Sequence, residues 1–292
     1  MLEWKNNPNR KPLIICGARQ VGKTYSVLQF GHTCYKNVAY FKFEFTKQAS
    51  KIFDNDLDTK RIVNSLSSLC GIDIMENDTL IIFDEVQACN RALSSLKYFN
   101  ENDPGYHIIA TGSLLGIALE REDFSFPVWG VNILRMCPMD LEEFMLATGN
   151  KRISDGIRKS FYSQSKYEPH DKAMAIYRTY LTIGGLPEAV KRSSEEQNMS
   201  EITAIHAGLD PTLGDMSKYT TKAEAVMIGA IWSSVPDQLF KENKRFMEQY
   251  EYTYAVRVSS KNFGFDNHIF NVPLYATFCP DKRVCDTVRQ HI

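Results

Sequence analysis

Eight consecutive residues, Gly17-Ala18-Arg19-Gln20-Val21-Gly22-Lys23-Thr24, fill the pattern GxxxxGK[ST] without a mismatch. They follow an apolar run from Pro12 to Cys16 and lead into helical spacing at Val21, Tyr25, Val27, Leu28 and Phe30. That strand, loop and helix context gives the pattern its physical meaning. Glycines let the backbone turn its amides inward around phosphates, and the helix start adds the positive end of its dipole. In such a loop Lys23 bridges the outer phosphates and Thr24 offers a hydroxyl to Mg²⁺. Arg19 and Gln20 read as exposed loop positions rather than chemical participants.

A second chemical element lies in LIIFDEVQ, residues 80 to 87. An acid at the end of a buried strand is costly unless a cation or hydrogen bonds compensate it. Asp84 is placed to hold the Mg²⁺ shell and Glu85 to polarise an attacking water as a general base. The pair favours hydrolysis over phosphoryl transfer to a metabolite, although alone an Asp-Glu after a strand is a common helix start. A third element, Thr111-Gly112-Ser113, ends the next strand. Ser113 or Thr111 could orient the water or sense the γ-phosphate, and an N-cap for a helix from Leu114 reads equally well. Arg91, Arg121 and Arg135 are finger candidates, each also readable as a solvated charge.

Absences narrow the chemistry. No LSGGQ-like signature occurs, and Asn243-Lys244-Arg245-Phe246 lacks the aspartate of a guanine-reading motif, so ATP is the expected nucleotide. Seven cysteines form no CxxC pair and six histidines are scattered, which leaves a zinc site or a disulfide framework without support.

These residues need a sheet to carry them. Apolar runs predict strands at 12–16, 38–45, 79–84, 106–111 and 131–136, separated by helical periodicity at 57–70, 91–100 and 140–147. Such alternation predicts a doubly wound parallel α/β sheet with its ligand at the strand carboxyl ends. Residues 149–171 are polar and poorly periodic and read as a linker, 172–246 are helical in spacing, and YTYAVRVSS and HIFNVPLYATF read as two late strands. Two strands cannot bury a core alone, so they must lie against something else or belong to an incomplete unit.

The 292 residues are 43% hydrophobic and 24% charged, which excludes wholesale disorder, and a net charge of -1 supplies no global field toward nucleic acid or membrane. The opening residues hold too short an apolar run for a signal peptide or a span, so a reducing cytoplasm and no membrane are expected.

In order and length, KPLIICGARQVGKT, TLIIFDEVQ, ALSSLKYFNENDPGYHIIATGSLLG, FPVWGVNILRMCPMDLEEFMLATG, YLTIGGLPEAV, GDMSKYT and VPDQLFKENKRF resemble AAA-type ATP-binding proteins of bacteria and archaea that carry a C-terminal domain of unknown function. The resemblance implies a P-loop ATPase domain at 1–150, a helical, winged-helix-like domain at 151–246, and at 247–292 a remnant of a restriction-endonuclease-like domain. It places the phosphate loop on Gly17, Gly22, Lys23 and Thr24 and the acidic pair on Asp84 and Glu85. Relatives usually carry Gly-Lys or Gly-Arg, a nucleotide-sensing cation, where this chain has Trp129-Gly130, so the resemblance does not carry that cation over to this chain. The section between NKRF and YAVRVSS is short enough that the Asp and Glu-x-Lys cluster of such nucleases is missing, and nuclease activity is expected to be absent.

The favoured expectation is therefore a Mg²⁺-dependent ATPase whose cycle changes the conformation of its C-terminal segment, in a homo-oligomer if a neighbour completes the site. The alternative is a nucleotide-switched DNA-binding module with little turnover, using Lys191, Arg192, Lys241, Lys244 and Arg245. A third reading makes the shortened C-terminus a degenerate product.

Overall fold

A computed structural model describes residues 1–112, 130–196, 255–266 and 269–279. The chain divides into two compact units, Met1–Pro138 and Met139–Ile292.

The first unit is α/β. Its strands are β1 (Leu13–Cys16), β2 (Asn37–Lys42), β3 (Thr79–Asp84), β4 (His107–Gly112) and β5 (Asn132–Arg135), in sheet order β2-β3-β4-β1-β5. All four pairings are parallel. The five strands, and the doubly wound parallel class, are those the apolar runs predict. Strand β3 is buried along its whole length because it is apolar on both faces. Leu80 and Ile82 pack with Leu13, Ile15, Val27 and Phe30 on one side. Ile81 and Phe83 pack with Phe41, Phe43, Phe53, Leu66 and Leu96 on the other. The period-two alternation of a strand thus feeds two separate cores.

The chain leaves β1 through helix α2 (Lys23–Cys34) and returns to the far edge at β2, so β1 stands between β4 and β5. The loop after β1 opens at this reversal of strand order, where open α/β sheets bind ligands. A short helix α1 (Leu2–Asn6) precedes β1, and α3 (Lys47–Lys51), α4 (Thr59–Cys70) and α5 (Asn90–Asn102) complete the described helices of this unit. Helix α4 is capped by Asp58, which accepts from the Arg61 amide, and ends at Gly71 with φ 68°.

The second unit holds α6 (Leu141–Ala147), α7 (Lys151–Ser163), α8 (His170–Ile183), α9 (Pro187–Glu196), β6 (Ala255–Ser259), β7 (Gly264–Asp266) and β8 (Ile269–Pro273). Helix α7 corrects the sequence reading of 149–171 as a linker. Only Ile153, Ile157 and Phe161 form its apolar stripe, one residue per turn, and that narrow face is buried while Lys151, Arg152 and Lys159 face water. The two expected late strands are present, joined by the three-residue β7: β6 and β8 are parallel, β7 and β8 antiparallel. They do lie against something else. Phe263, Val272, Tyr275, Ala276 and Cys279 share one core with Phe144, Ile157, Phe161, Ala173 and Val190.

The winged-helix expectation rests largely on residues 197–254, which lie outside the described residues, as do Ser113, Arg121, Trp129, Lys241, Lys244 and Arg245. Among the described residues, no helix is long and apolar enough to cross a membrane.

Candidate functional site

The loop after β1 has a backbone that few residues other than glycine could supply. Gly17 has φ 154°, and a Cβ there would lie 2.0 Å from the Met136 carbonyl oxygen. That carbonyl is held close because the Met136 amide donates to Cys16 O at 2.8 Å, extending the β1–β5 ladder past its end. Gln20 (φ 63°) and Gly22 (φ 90°) are left-handed, which turns the loop tightly into α2. Ala18, Arg19 and Gln20 are exposed, as expected for Arg19 and Gln20, while Val21 is buried as the loop's apolar anchor.

Lys23 opens α2 and is 8% exposed. Its ammonium donates to Gly17 O at 2.9 Å and Ala18 O at 2.6 Å, so it is held inside the curve of its own loop. Burial pushes its pKa down, opposed by the nearby carboxylates of Glu85 and Asp84. Lysine and acids therefore belong to one site.

The acids come from β3, which is not β1's neighbour: β4 runs between them, with Ile15 paired to Thr111 and Leu80 to His107. The gap is closed by hydroxyls. Thr24 Oγ1, 60 residues away in sequence, donates to Asp84 at 3.2 Å from each carboxylate oxygen. Thr111, at the end of the intervening strand and fully buried, donates to Oδ1. Tyr40 donates to Oδ2 at 2.6 Å. Three donors on one carboxylate that is 3% exposed replace the water it has lost. Burial and the bond to Asp84 in turn push the Tyr40 phenol above its ordinary pKa.

Glu85 follows with φ 52°, a left-handed conformation unusual for a residue with a Cβ and of the kind that collects at functional sites. The Gln87 amide Nε2 donates to Glu85 Oε2, while Gln87 Oε1 is buried with no partner among the described residues. Of the finger candidates, Arg91 donates through Nε to Phe53 O and Arg135 lies on the exposed strand β5.

The loop thus brings Lys23 and Thr24 to Asp84 and Glu85. Thr111, at the end of β4, reaches the same carboxylate, and Ser113 lies outside the described residues. Sequence reasoning missed Tyr40 and Gln87. Tyr40 carries a signal only once β2 and β3 are in register, with Tyr40 opposite Ile82 and two residues short of Asp84 on the same face.

A hydroxyl and a carboxylate side by side are hard oxygen donors of the sort Mg²⁺ takes, and a loop of left-handed turns around a buried ammonium suits a polyphosphate. The donor set fits both.

Residues 9–145 match the model of a family described as AAA domain. The AAA match covers the whole parallel sheet together with the loop and both acids. Similar solved structures include AMPPCP-bound DnaA from Aquifex aeolicus, at 14% identity over 85% of this chain and 73% of that one, with a TM-score of 0.41. Drosophila ORC bound to DNA is 15% identical over 84% of this chain and 67% of that one, with a TM-score of 0.37. Cdc6p from Pyrobaculum aerophilum is 11% identical over 52% of this chain, at a TM-score of 0.35, and the match spans 46% of its length. No curated protein matches by sequence.

Proposed function

We propose that this chain is a Mg²⁺-dependent ATPase that binds ATP at Gly17–Thr24 and hydrolyses it. The observation that carries the reading is the meeting of Thr24 and Asp84 at 3.2 Å beside a lysine held in the phosphate loop. With nucleotide bound, Lys23 exchanges the carbonyls of Gly17 and Ala18 for the outer phosphate oxygens. Thr24 and Asp84 would hold Mg²⁺, which would supply positive charge against the phosphates. Glu85 accepts a proton from the attacking water as the water oxygen bonds to the γ-phosphorus and the bond to the bridging oxygen breaks, giving ADP and phosphate. Thr111 keeps Asp84 in place, and Ser113 is the second hydroxyl offered at the end of β4. The cycle changes the conformation of the C-terminal unit, which the chain uses as its output.

The test is ATP turnover measured across protein concentration, since a residue donated by a second copy makes specific activity rise with assembly. The intact chain should turn over ATP, Lys23→Ala should fall to background, and Glu85→Gln should bind ATP while losing about 100-fold or more in rate. Turnover no greater than that of the Lys23→Ala variant at every concentration rejects the reading.

A further inference from the structure

The Asp84 carboxylate is held unequally by its three donors. Tyr40 and Thr111 each bond a single oxygen, Oδ2 and Oδ1 respectively. Thr24 shares one proton between both oxygens, at 3.2 Å from each, the longer kind of contact. The two outer bonds fix the plane of the carboxylate, and the side left loosely held is the one that faces the phosphate loop. Tyr40 can do this from β2 because parallel pairing sets Lys42 opposite Asp84 and Tyr40 opposite Ile82. The tyrosine therefore stands on the aspartate's face of the sheet, and its ring spans the two-residue offset along the strand.

We propose that Tyr40 is a positioning residue for metal binding: by anchoring Oδ2 it keeps the loosely held edge of Asp84 turned toward Thr24, where nucleotide-bound Mg²⁺ would be held. The proposal rests on the nucleotide reading above. It separates two properties that the phosphate loop alone would join. Nucleotide affinity without metal belongs to Lys23 and the loop amides, whereas the hydroxyl of Tyr40 is bonded to Asp84. Metal affinity of the nucleotide complex belongs to the orientation of Asp84, which Tyr40 sets. Partners that orient a metal's ligands typically carry about 10- to 100-fold in metal affinity.

The experiment compares the full chain with Tyr40→Phe, which keeps the ring in place and removes one oxygen. A non-hydrolysable ATP analogue is titrated in EDTA, and in separate, chelator-free samples Mn²⁺, visible by electron paramagnetic resonance, is titrated into the nucleotide complex. The expected result is equal nucleotide affinity without metal and about tenfold weaker Mn²⁺ binding in the variant. Equal Mn²⁺ affinity in the two nucleotide complexes overturns the Tyr40 proposal alone. So does a loss of metal-free nucleotide affinity as large as the loss for Mn²⁺, because Tyr40 would then be shaping the loop rather than the carboxylate. An intact chain that binds no nucleotide either in EDTA or with Mn²⁺ present overturns the nucleotide reading and this inference with it. An intact chain that binds nucleotide only with Mn²⁺ overturns the separation of the two affinities, and so the Tyr40 proposal alone.

Discussion

Thr111 has no choice of partner. It is fully buried at the end of β4, and its hydroxyl donates a hydrogen bond to the carboxylate of Asp84. Replacing it with valine keeps the shape and β-branching of the side chain but leaves Oδ1 with only a share of the Thr24 proton. A buried charged group that loses a donor costs about 1–3 kcal/mol. Thr111→Val should therefore lower stability toward urea by that amount, and the deficit should shrink when Mg²⁺ and nucleotide are added, since the metal shell supplies the carboxylate with a new partner. A deficit unchanged by ligand would place Thr111 in the scaffold alone. At this scale the sequence was readable where a motif spells the residues out in a row, as it does for Lys23, Thr24, Asp84 and Glu85. It was silent on Tyr40 and undecided between Thr111 and Ser113, because those roles depend on the register of neighbouring strands, a non-local property.

Among the elements, the buried strands were the easiest to foresee. A run such as TLIIFD is apolar on both faces and can be satisfied only between two layers. Helix α7 was hidden for the opposite reason, since its buried stripe is one residue wide and its sequence contains Gly156. That glycine has a positive use. A Cβ at position 156 would come 2.8 Å from Cε2 of Tyr167, whose ring lies across the helix. Tyr167 is 7% exposed and fixed in turn by its amide, which donates to Asn262 Oδ1 at 3.1 Å. Glycine to alanine inside a helix ordinarily stabilises by roughly 0.5–1 kcal/mol. Here the ring has nowhere to retreat, and overpacking costs about 1–3 kcal/mol. Gly156→Ala should thus lower the melting temperature of the second unit, and a rise would mean that Tyr167 can move aside. The same contact joins the late strands to the helices: Asn262 also donates to Tyr167 O at 2.9 Å, and Asn271 donates to Lys261 O and Asn262 O. Phe263, Val272, Tyr275, Ala276 and Cys279 are built into this core.

The molecule as a whole consists of two units, the first with a core on each side of its sheet and the second with a core of its own, and their responses to conditions need not coincide. The first unit contains a titrating group remote in sequence from the phosphate loop. His107, 3% exposed at the start of β4, accepts from the Tyr35 hydroxyl through Nδ1 at 2.6 Å. Its Nε2 faces Asn77 Oδ1 at 3.3 Å, an oxygen that also accepts from Arg10, so Nε2 carries the single proton. Trp4 stacks edgewise on the ring and ties α1 to the same place. Burial first, then the cations Arg10 and Lys5, push the His107 pKa down to about 4. A folded-state value below the ordinary one means that the unfolded chain takes up a proton that the folded chain refuses. The stability His107 provides is therefore complete above about pH 6.5 and is lost progressively as the pH falls toward 4. Between pH 7 and pH 5 the loss should reach about 2 kcal/mol in the first unit. Carboxylates begin to titrate over the same range, so the comparison that isolates the histidine is the pH slope of the intact chain against that of His107→Gln, read by urea titration. The slope should flatten in the variant, and only in the transition that also responds to nucleotide, because His107 and the phosphate loop share one unit. Equal slopes in both proteins would show that the imidazole gains its proton without opening the fold.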